Sequence, residues 1–576
     1  MMSTPPLKSH TKFHFWSTPN NYALALICWS NTLGNARKYP ALFQKYGHMQ
    51  VLLPYSVVTA FLIIPFVYAE LIIGQYTNNG FVNMWRMAPI VRGLVWSMAT
   101  ITFFAAHYSL FNTMHASYYL LKSFETILPW SRCDPSWATE ACVNFQSYPE
   151  QNMTNTQNSV EHFYRNFVLS ENAMSFSEVN MRLFLFLLAT LIIVGVCLVE
   201  RIRTIEKLQT CITLTPIILL ISLTVAALLN QTSIIGISAF VQPDFEMLMD
   251  YRMWVDVVNN AMTNVGLGMG GLICISAHGH FRSNIYTFAA LTPLCNMLTD
   301  ILFTLFVYSN LSSEAMNKNI TMDAIFEQNV SLLFVKLPLA LLEWPSYQQL
   351  WSIVYFLYLY ITGMRYLLFL LFTLTSAFHE TFHCVYQLRR FSIAMLCFMI
   401  IFVMPLYISP IGYSMFVEME NFCSSTFLTF IVTIEAIGIF YIYNARNLLV
   451  DVHFMLNKKM THLQYLFYLI PALLCSVTIV NFYRWAWASR DYKTFWIFII
   501  QCVILGLMIV FFISHLLTHI MTNWGKNYKL ILAPAENWGC SNEETRKSRE
   551  FFKSETTDAR FAYRQELYER TISAMT

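Results

Sequence analysis

About twelve apolar runs, each long enough to cross a bilayer, recur along the 576-residue chain, near 22–44, 51–74, 93–121, 180–200, 208–229, 254–281, 285–308, 350–376, 391–410, 421–444, 464–483 and 495–520. A helix rises 1.5 Å per residue, so about 20 residues span the ~30 Å hydrocarbon layer. Within that layer only the chain itself can satisfy a backbone amide, which makes an all-α polytopic membrane protein the expected fold. Composition excludes a string of soluble domains, because only 12% of the residues are charged, about half the share of a soluble chain. A net charge of +3 offers little field to a polyanion, so the expected surrounding is the lipid bilayer and no nucleic acid partner is expected.

The first twenty residues hold no apolar core ending in a small-residue cleavage site and read as a cytosolic tail, not a signal peptide. With Met1 inside, Lys and Arg favour the inner segments by about two to one, which predicts both termini in the cytoplasm. The expected organisation is a tail at 1–21, a membrane domain at 22–520 and a second tail at 521–576. That second tail carries nine Lys/Arg and eight Asp/Glu and reads as a solvated, partly helical segment. The segment 122–179 then forms a large outer loop, in whose polar stretch Cys133 and Cys142 are expected to form a disulfide. Asn-x-Ser/Thr acceptors at Asn152, Asn230, Asn310, Asn319 and Asn329 all fall in expected outer loops. They suggest a glycoprotein, with chance triplets as the alternative.

Gly34-Asn35-Ala36-Arg37-Lys38-Tyr39-Pro40 in the first run resembles the G-N-x-W-R-F-P signature of the neurotransmitter:sodium symporter family. Pro54-Tyr55, Ile64-Pro65, Glu70, Gly74-Gln75-Tyr76, Trp85-Arg86 and Pro89-Ile90 follow that family's second span and first inner loop. Leu128-Pro129-Trp130 with Cys133 and Cys142 resembles its large outer loop, Gly268-Met269-Gly270 the G-F-G of its sixth helix, and Asn296 the Asn of its seventh. The resemblance runs from about Trp16 to the twelfth run. It implies 12 transmembrane helices arranged as a 5+5 inverted repeat with broken helices 1 and 6, plus two extra helices, in the plasma membrane. Local residues agree with the breaks. Trp29 to Asn35 interrupt the first run with polar and small residues, and four glycines fall between Asn264 and Gly271. Each glycine costs a helix interior about 1 kcal/mol, although small residues also serve close helix packing in membranes.

Carried over residue by residue, the resemblance implies a first sodium site made by the Ser30 carbonyl, Asn35, Asn264 and Asn296. All are oxygen donors of the kind a hard cation requires; capping of broken helix ends is their other possible use. In the eighth run, where the family has G-L-D-S, this chain reads Gly363-Met364-Arg365-Tyr366. A guanidinium has no acceptor atom, so Arg365 is expected to replace the second sodium ion with a fixed charge. The alternative is a side chain that snorkels toward a helix end. At the family's chloride site Tyr55 and Asn296 match, Asn260 and Asn264 stand for Gln and Ser, and the remaining serine is Asp300. Two unit charges ~5 Å apart at an effective dielectric of ~20 interact by about 3 kcal/mol. Chloride beside a charged Asp300 is therefore not expected, unless burial keeps that carboxyl neutral.

The resemblance places an outer gate at Lys38 and Glu420, with Lys38 standing for an Arg, and an inner gate at Glu380, His278 and Trp16, with Lys12 as a substitute cation. It lines the substrate pocket with Trp29, Thr32, Leu33, Gly34, Ala105, Tyr108 or Ser109, Thr263, Gly266, Met269 and Tyr366. Monoamine-carrying members place Asp where this chain has Thr32, so a small amino-acid-like solute is expected. The bulk of Trp29 and Tyr366 either narrows the pocket or packs the core. The expected function is secondary active transport, not catalysis, coupled to sodium at one site instead of two. Two other readings stay open: a non-transporting relative acting as a membrane partner or sensor, and a uniporter or exchanger without ion coupling. The sequence leaves a homo-oligomer open.

Overall fold

A computed structural model describes residues 15–30, 32–135, 137–140, 142–144, 157–169, 180–199, 202–230, 232–242, 245–318, 322–327, 331–382, 389–409, 412–488, 495–524 and 531–552. Two of its helical spans are interrupted: α1a Pro19–Trp29 with α1b Leu33–Lys45, and α6a Tyr251–Val265 with α6b Gly271–Ala277. Ten others among the described residues are continuous and long and apolar enough to cross a membrane. These are α2 His48–Thr77, α3 Leu94–Lys122, α4 Met181–Val199, α5 Thr204–Leu228, α7 Ile285–Met316, α8 Gln348–Thr381, α9 Arg389–Ile408, α10 Gly412–Ile442, α11 Leu463–Trp487 and α12 Phe495–Thr522. The twelve spans and their two breaks are those expected from the sequence. The strands among the described residues are two-residue segments, Cys142–Val143 parallel to Gln157–Asn158, beside the Cys133–Cys142 disulfide.

Each break has a local cause. Helix α1a starts at Pro19, whose missing N–H costs nothing in a first turn, and Thr18 caps it by accepting from Asn21 N at 3.2 Å. It stops at Ser30, which is extended. Thr32 then caps α1b, its hydroxyl accepting from Asn35 N at 3.1 Å. In span 6, Gly266, Gly268 and Gly270 take φ of +68°, +72° and +78°, a left-handed conformation that side chains resist. The breaks pack on one another: a methyl group added at Gly271 would stand 2.2 Å from the Trp29 ring. Close approach also fixes α8 against α3, since a methyl at Gly363 would stand 2.1 Å from Thr113 Oγ1.

Two expectations are corrected here. Asn310 lies inside α7, 2% exposed. Its amide donates to Phe306 O at 2.6 Å, and its oxygen accepts from Trp344 Nε1 at 2.8 Å. A glycan has no room there. Asn230 is partly exposed at the end of α5, whereas Asn152, Asn319 and Asn329 lie outside the described residues. The C-terminal segment 531–552 is partly helical as expected, with no buried residue in its helix Glu543–Glu550, but it is docked and not free. Ala535 N donates to Arg86 O at 2.8 Å, Trp538 Nε1 to Tyr443 OH at 3.0 Å and Arg549 Nε to Asp451 Oδ1 at 2.8 Å. Asp451 belongs to a short helix, Ala445–Leu456, between α10 and α11. The balanced charge of the tail conceals the buried contacts that Trp538 and Cys540 make.

Candidate functional site

Between the two breaks, α3, α8 and α10 enclose a cavity of about 60 Å³ with mainly apolar walls. All the expected pocket residues line it except Trp29 and Gly266; both Tyr108 and Ser109 do. Trp29 is corrected because its ring is fully buried against Gly266 and Gly271 and its Nε1 donates to Val265 O at 2.9 Å. It plugs the break in span 6, and Gly266 lies beneath its ring. Tyr366 OH donates to Met269 Sδ at 3.7 Å, Tyr108 OH to Cys423 Sγ at 3.4 Å and Ser109 Oγ to Gly363 O at 3.1 Å. Asn112, Cys423 and Ser424 also line the cavity and were not expected. The first falls one helical turn after Tyr108, a spacing that places them on one face.

Beside the cavity, one carboxyl gathers the polar residues of the breaks. Asp300 of α7 is 4% exposed, and its Oδ2 accepts from Asn35 Nδ2 of α1b and Asn264 Nδ2 of α6a, each at 2.6 Å. Asn264 Nδ2 also reaches Tyr55 OH at 3.3 Å, and Ser30 Oγ donates to Asn296 Oδ1 at 2.8 Å. Asn264 Oδ1 and Asn260 Oδ1 are buried without a hydrogen-bond partner among the described residues. A buried unpaired acceptor costs ~1–3 kcal/mol, and an amide oxygen suits a hard monovalent cation. Of the expected sodium donors, Asn264 thus offers an unpartnered oxygen that suits such a cation, whereas Asn296 Oδ1 already accepts from Ser30 Oγ.

The eighth span does not fit a second cation. Arg365 is 2% exposed in the middle of α8, far from either helix end, which excludes snorkelling. Its guanidinium lies within electrostatic reach of Cys28 on α1a and of Tyr358 two turns earlier on α8. A fixed positive charge thus stands between the first and eighth spans. Tyr358 feels both Arg365 and Asp300.

The gates differ from expectation in their partners. At the end of the bundle that carries the disulfide loop, Arg37 Nη2 pairs with Glu420 Oε2 at 2.7 Å, and Lys38 Nζ is 3.4 Å from Glu420 Oε1. Lys38 Nζ donates to Ser424 Oγ at 2.6 Å. The adjacent Arg37, missed from the sequence, makes the shorter contact. At the opposite end, Glu380 accepts from the backbone N–H groups of Gly80 and Asn83. It caps the short helix Phe81–Met84 instead of closing on His278. Trp16, 1% exposed, is the wedge there: its N donates to His278 O at 3.0 Å and its Nε1 to Ile275 O at 2.9 Å. His278 contributes a carbonyl and a ring edge at 6.4 Å from the indole. Lys12 lies outside the described residues.

Residues 14–525 match the family model described as the sodium:neurotransmitter symporter family. The chain is 25% identical to the sodium- and chloride-dependent neutral and basic amino acid transporter B(0+) of Mus musculus, over 93% of this chain and 90% of that relative. It is also 25% identical to the sodium-dependent nutrient amino acid transporter 1 of Drosophila virilis, over 94% and 89%. Against the sodium-dependent serotonin transporter of Drosophila melanogaster it is 28% identical, over 77% and 72%. The helical spans, the two breaks and the extent of the match lead to one assignment: the chain is a polytopic membrane protein, not an enzyme, and belongs to the sodium:neurotransmitter symporter family.

Proposed function

We propose that the protein is a plasma-membrane secondary transporter, with both termini cytoplasmic, that moves a small amino-acid-like solute by alternating access. Sodium binds at the Ser30, Asn35, Asn264 and Asn296 oxygens, and the chain's own charges replace two other ions: Arg365 the second sodium, Asp300 chloride. The observation that carries this reading is the double acceptance by Asp300 Oδ2 of the Asn35 and Asn264 amides. A carboxylate that already gathers the donors of both broken helices has no need of a mobile anion and repels one.

The cavity supports this solute class. No acid stands at Thr32 to meet a monoamine's ammonium, and the apolar walls and small volume favour a compact amino-acid-like molecule. Access from the disulfide-loop end is controlled by Glu420 with Arg37 and Lys38, and from the other end by the Trp16 wedge. Binding energy spent on closing one gate while the other opens is what alternating access requires.

Uptake of a labelled amino-acid panel by cells expressing the protein, with sodium or chloride replaced, tests the reading. Uptake that needs sodium and ignores chloride is expected. Uptake indifferent to both ions identifies a uniporter or exchanger. No uptake under any condition, despite expression at the cell surface, overturns transport in favour of a membrane partner or sensor.

A further inference from the structure

Glu70 of α2 and Glu435 of α10 are both fully buried, and both approach Gly268 in the non-helical part of span 6. Glu70 Oε1 accepts from Gly268 N at 3.0 Å, and a methyl group at Gly268 would stand 3.5 Å from Glu435 Oε2. The remaining three oxygens, Glu70 Oε2 and both of Glu435, have no hydrogen-bond partner among the described residues. No basic side chain among those residues forms an ion pair with either acid. The titratable groups that face the pair are each other and, from α6b, the Cys274 thiol, which in turn feels Glu380. Neither glutamate lines the solute cavity or contacts the candidate sodium oxygens.

Two charged carboxylates in this position would repel each other and lose their hydration together. One proton removes the repulsion and supplies the donor that three acceptor oxygens lack, as in other closely paired acids. We propose that Glu70 and Glu435 form a proton-binding site, in which the pair takes up one proton from water and holds it on one of its three unpartnered oxygens. The occupied pair ties α2 and α10 to the break in span 6.

The site has a mechanical consequence. Gly268 lies between Gly266 and Gly270, all three in left-handed backbone, and is the point about which α6a and α6b can turn relative to each other. A proton that favours one arrangement of the break is, by reciprocity, bound more tightly in that arrangement. Acidity then biases which end of the cavity is open, whatever solute the cavity accepts.

Infrared difference spectra of the full-length protein in nanodiscs at neutral pH test the site. Subtracting the Glu70→Gln/Glu435→Gln spectrum from that of the unaltered protein should leave one carbonyl band of a protonated carboxylic acid, shifted in D2O. Only carboxylate bands in the difference would mean that both acids are charged, and the proposal fails. If the double variant does not fold, the acid band should appear in the difference spectrum with at least one of the two single Gln variants, the one that removes the protonated carboxyl. The link to access is read by labelling Cys423, which lines the cavity, with a membrane-impermeant maleimide, using Cys423→Ser as the blank. A labelling rate that changes with pH in the unaltered protein and loses that dependence in the Gln variant is expected. The same pH dependence in both overturns the link.

Discussion

Asn35 of the first broken span donates its side-chain amide to Asp300 of the seventh across 2.6 Å. Asn264 of the second broken span does the same to the same oxygen. One carboxyl therefore joins both interrupted helices, and any motion that separates them must break a hydrogen bond to a buried acid. In a chain of low charge content, that placement carries more meaning than the net charge.

The gate predicts an order of effects. Glu420 is buried and answered by two cations, of which Arg37 is closer than Lys38. Arg37→Ala should cost about 1–2 kcal/mol of stability and Lys38→Ala about half of that, values between those of exposed and buried ion pairs. Thermal unfolding of the purified variants measures the order. The reverse order would show that Lys38 is the principal partner.

The charge on α8 predicts a gain of ion dependence. Arg365→Asp with Tyr366→Ser replaces a guanidinium by oxygen donors. The melting temperature of the variant should then rise with sodium more steeply than that of the unaltered protein. An identical sodium response would mean that Arg365 does not occupy a cation's place.

Asp451 lies outside the spans, where burial, the larger effect, lifts its carboxyl above the ordinary value of 3.8 and Arg549 draws it back. A carboxyl lifted in the folded state contributes stability that is fully present below its ordinary value and is lost as pH rises through the folded one. Arg549→Ala removes the opposing cation and extends that loss to higher pH. Relative to the unaltered protein, protease should release segment 531–552 of the variant faster in neutral than in mildly acidic buffer. Equal release at both would show that Asp451 does not hold the tail.

Glycosylation offers a simple check on Asn310. Its side chain is buried between Phe306 and Trp344, so Asn310→Gln should leave electrophoretic mobility before and after deglycosylation unchanged. A mobility shift would place Asn310 outside the bundle.

Much of the fold was legible because hydrophobic length and glycine position act locally. Twelve apolar runs read as spans, and the polar and glycine-rich interruptions at Ser30 and Gly266 to Gly270 became the two breaks. What escaped depends on side-chain direction. Trp29 and Thr32 sit three residues apart, yet the helix ends between them, so the tryptophan turns onto Gly271 while the threonine faces the cavity. Arg37 and Lys38 point to neighbouring faces, and only the packed position of Glu420 decides which makes the shorter contact. Glu380 reads as a gate from the resemblance, but the backbone amides of Gly80 and Asn83 come from the start of the short helix Phe81–Met84, which no pattern within α8 could reveal. The docked tail was illegible for the same reason, since Trp538 and Tyr443 meet across a long stretch of sequence.

The central claim is that the chain's own charges stand where mobile ions would bind, and Asp300→Ser tests it most directly. Thermal stability of the purified protein, and uptake once a solute is found, should be measured in chloride and in gluconate at constant sodium. The unaltered protein should be indifferent to the exchange, whereas Asp300→Ser should lose stability or uptake in gluconate and recover it in chloride. Chloride dependence of the unaltered protein, or indifference of the variant, would contradict the claim.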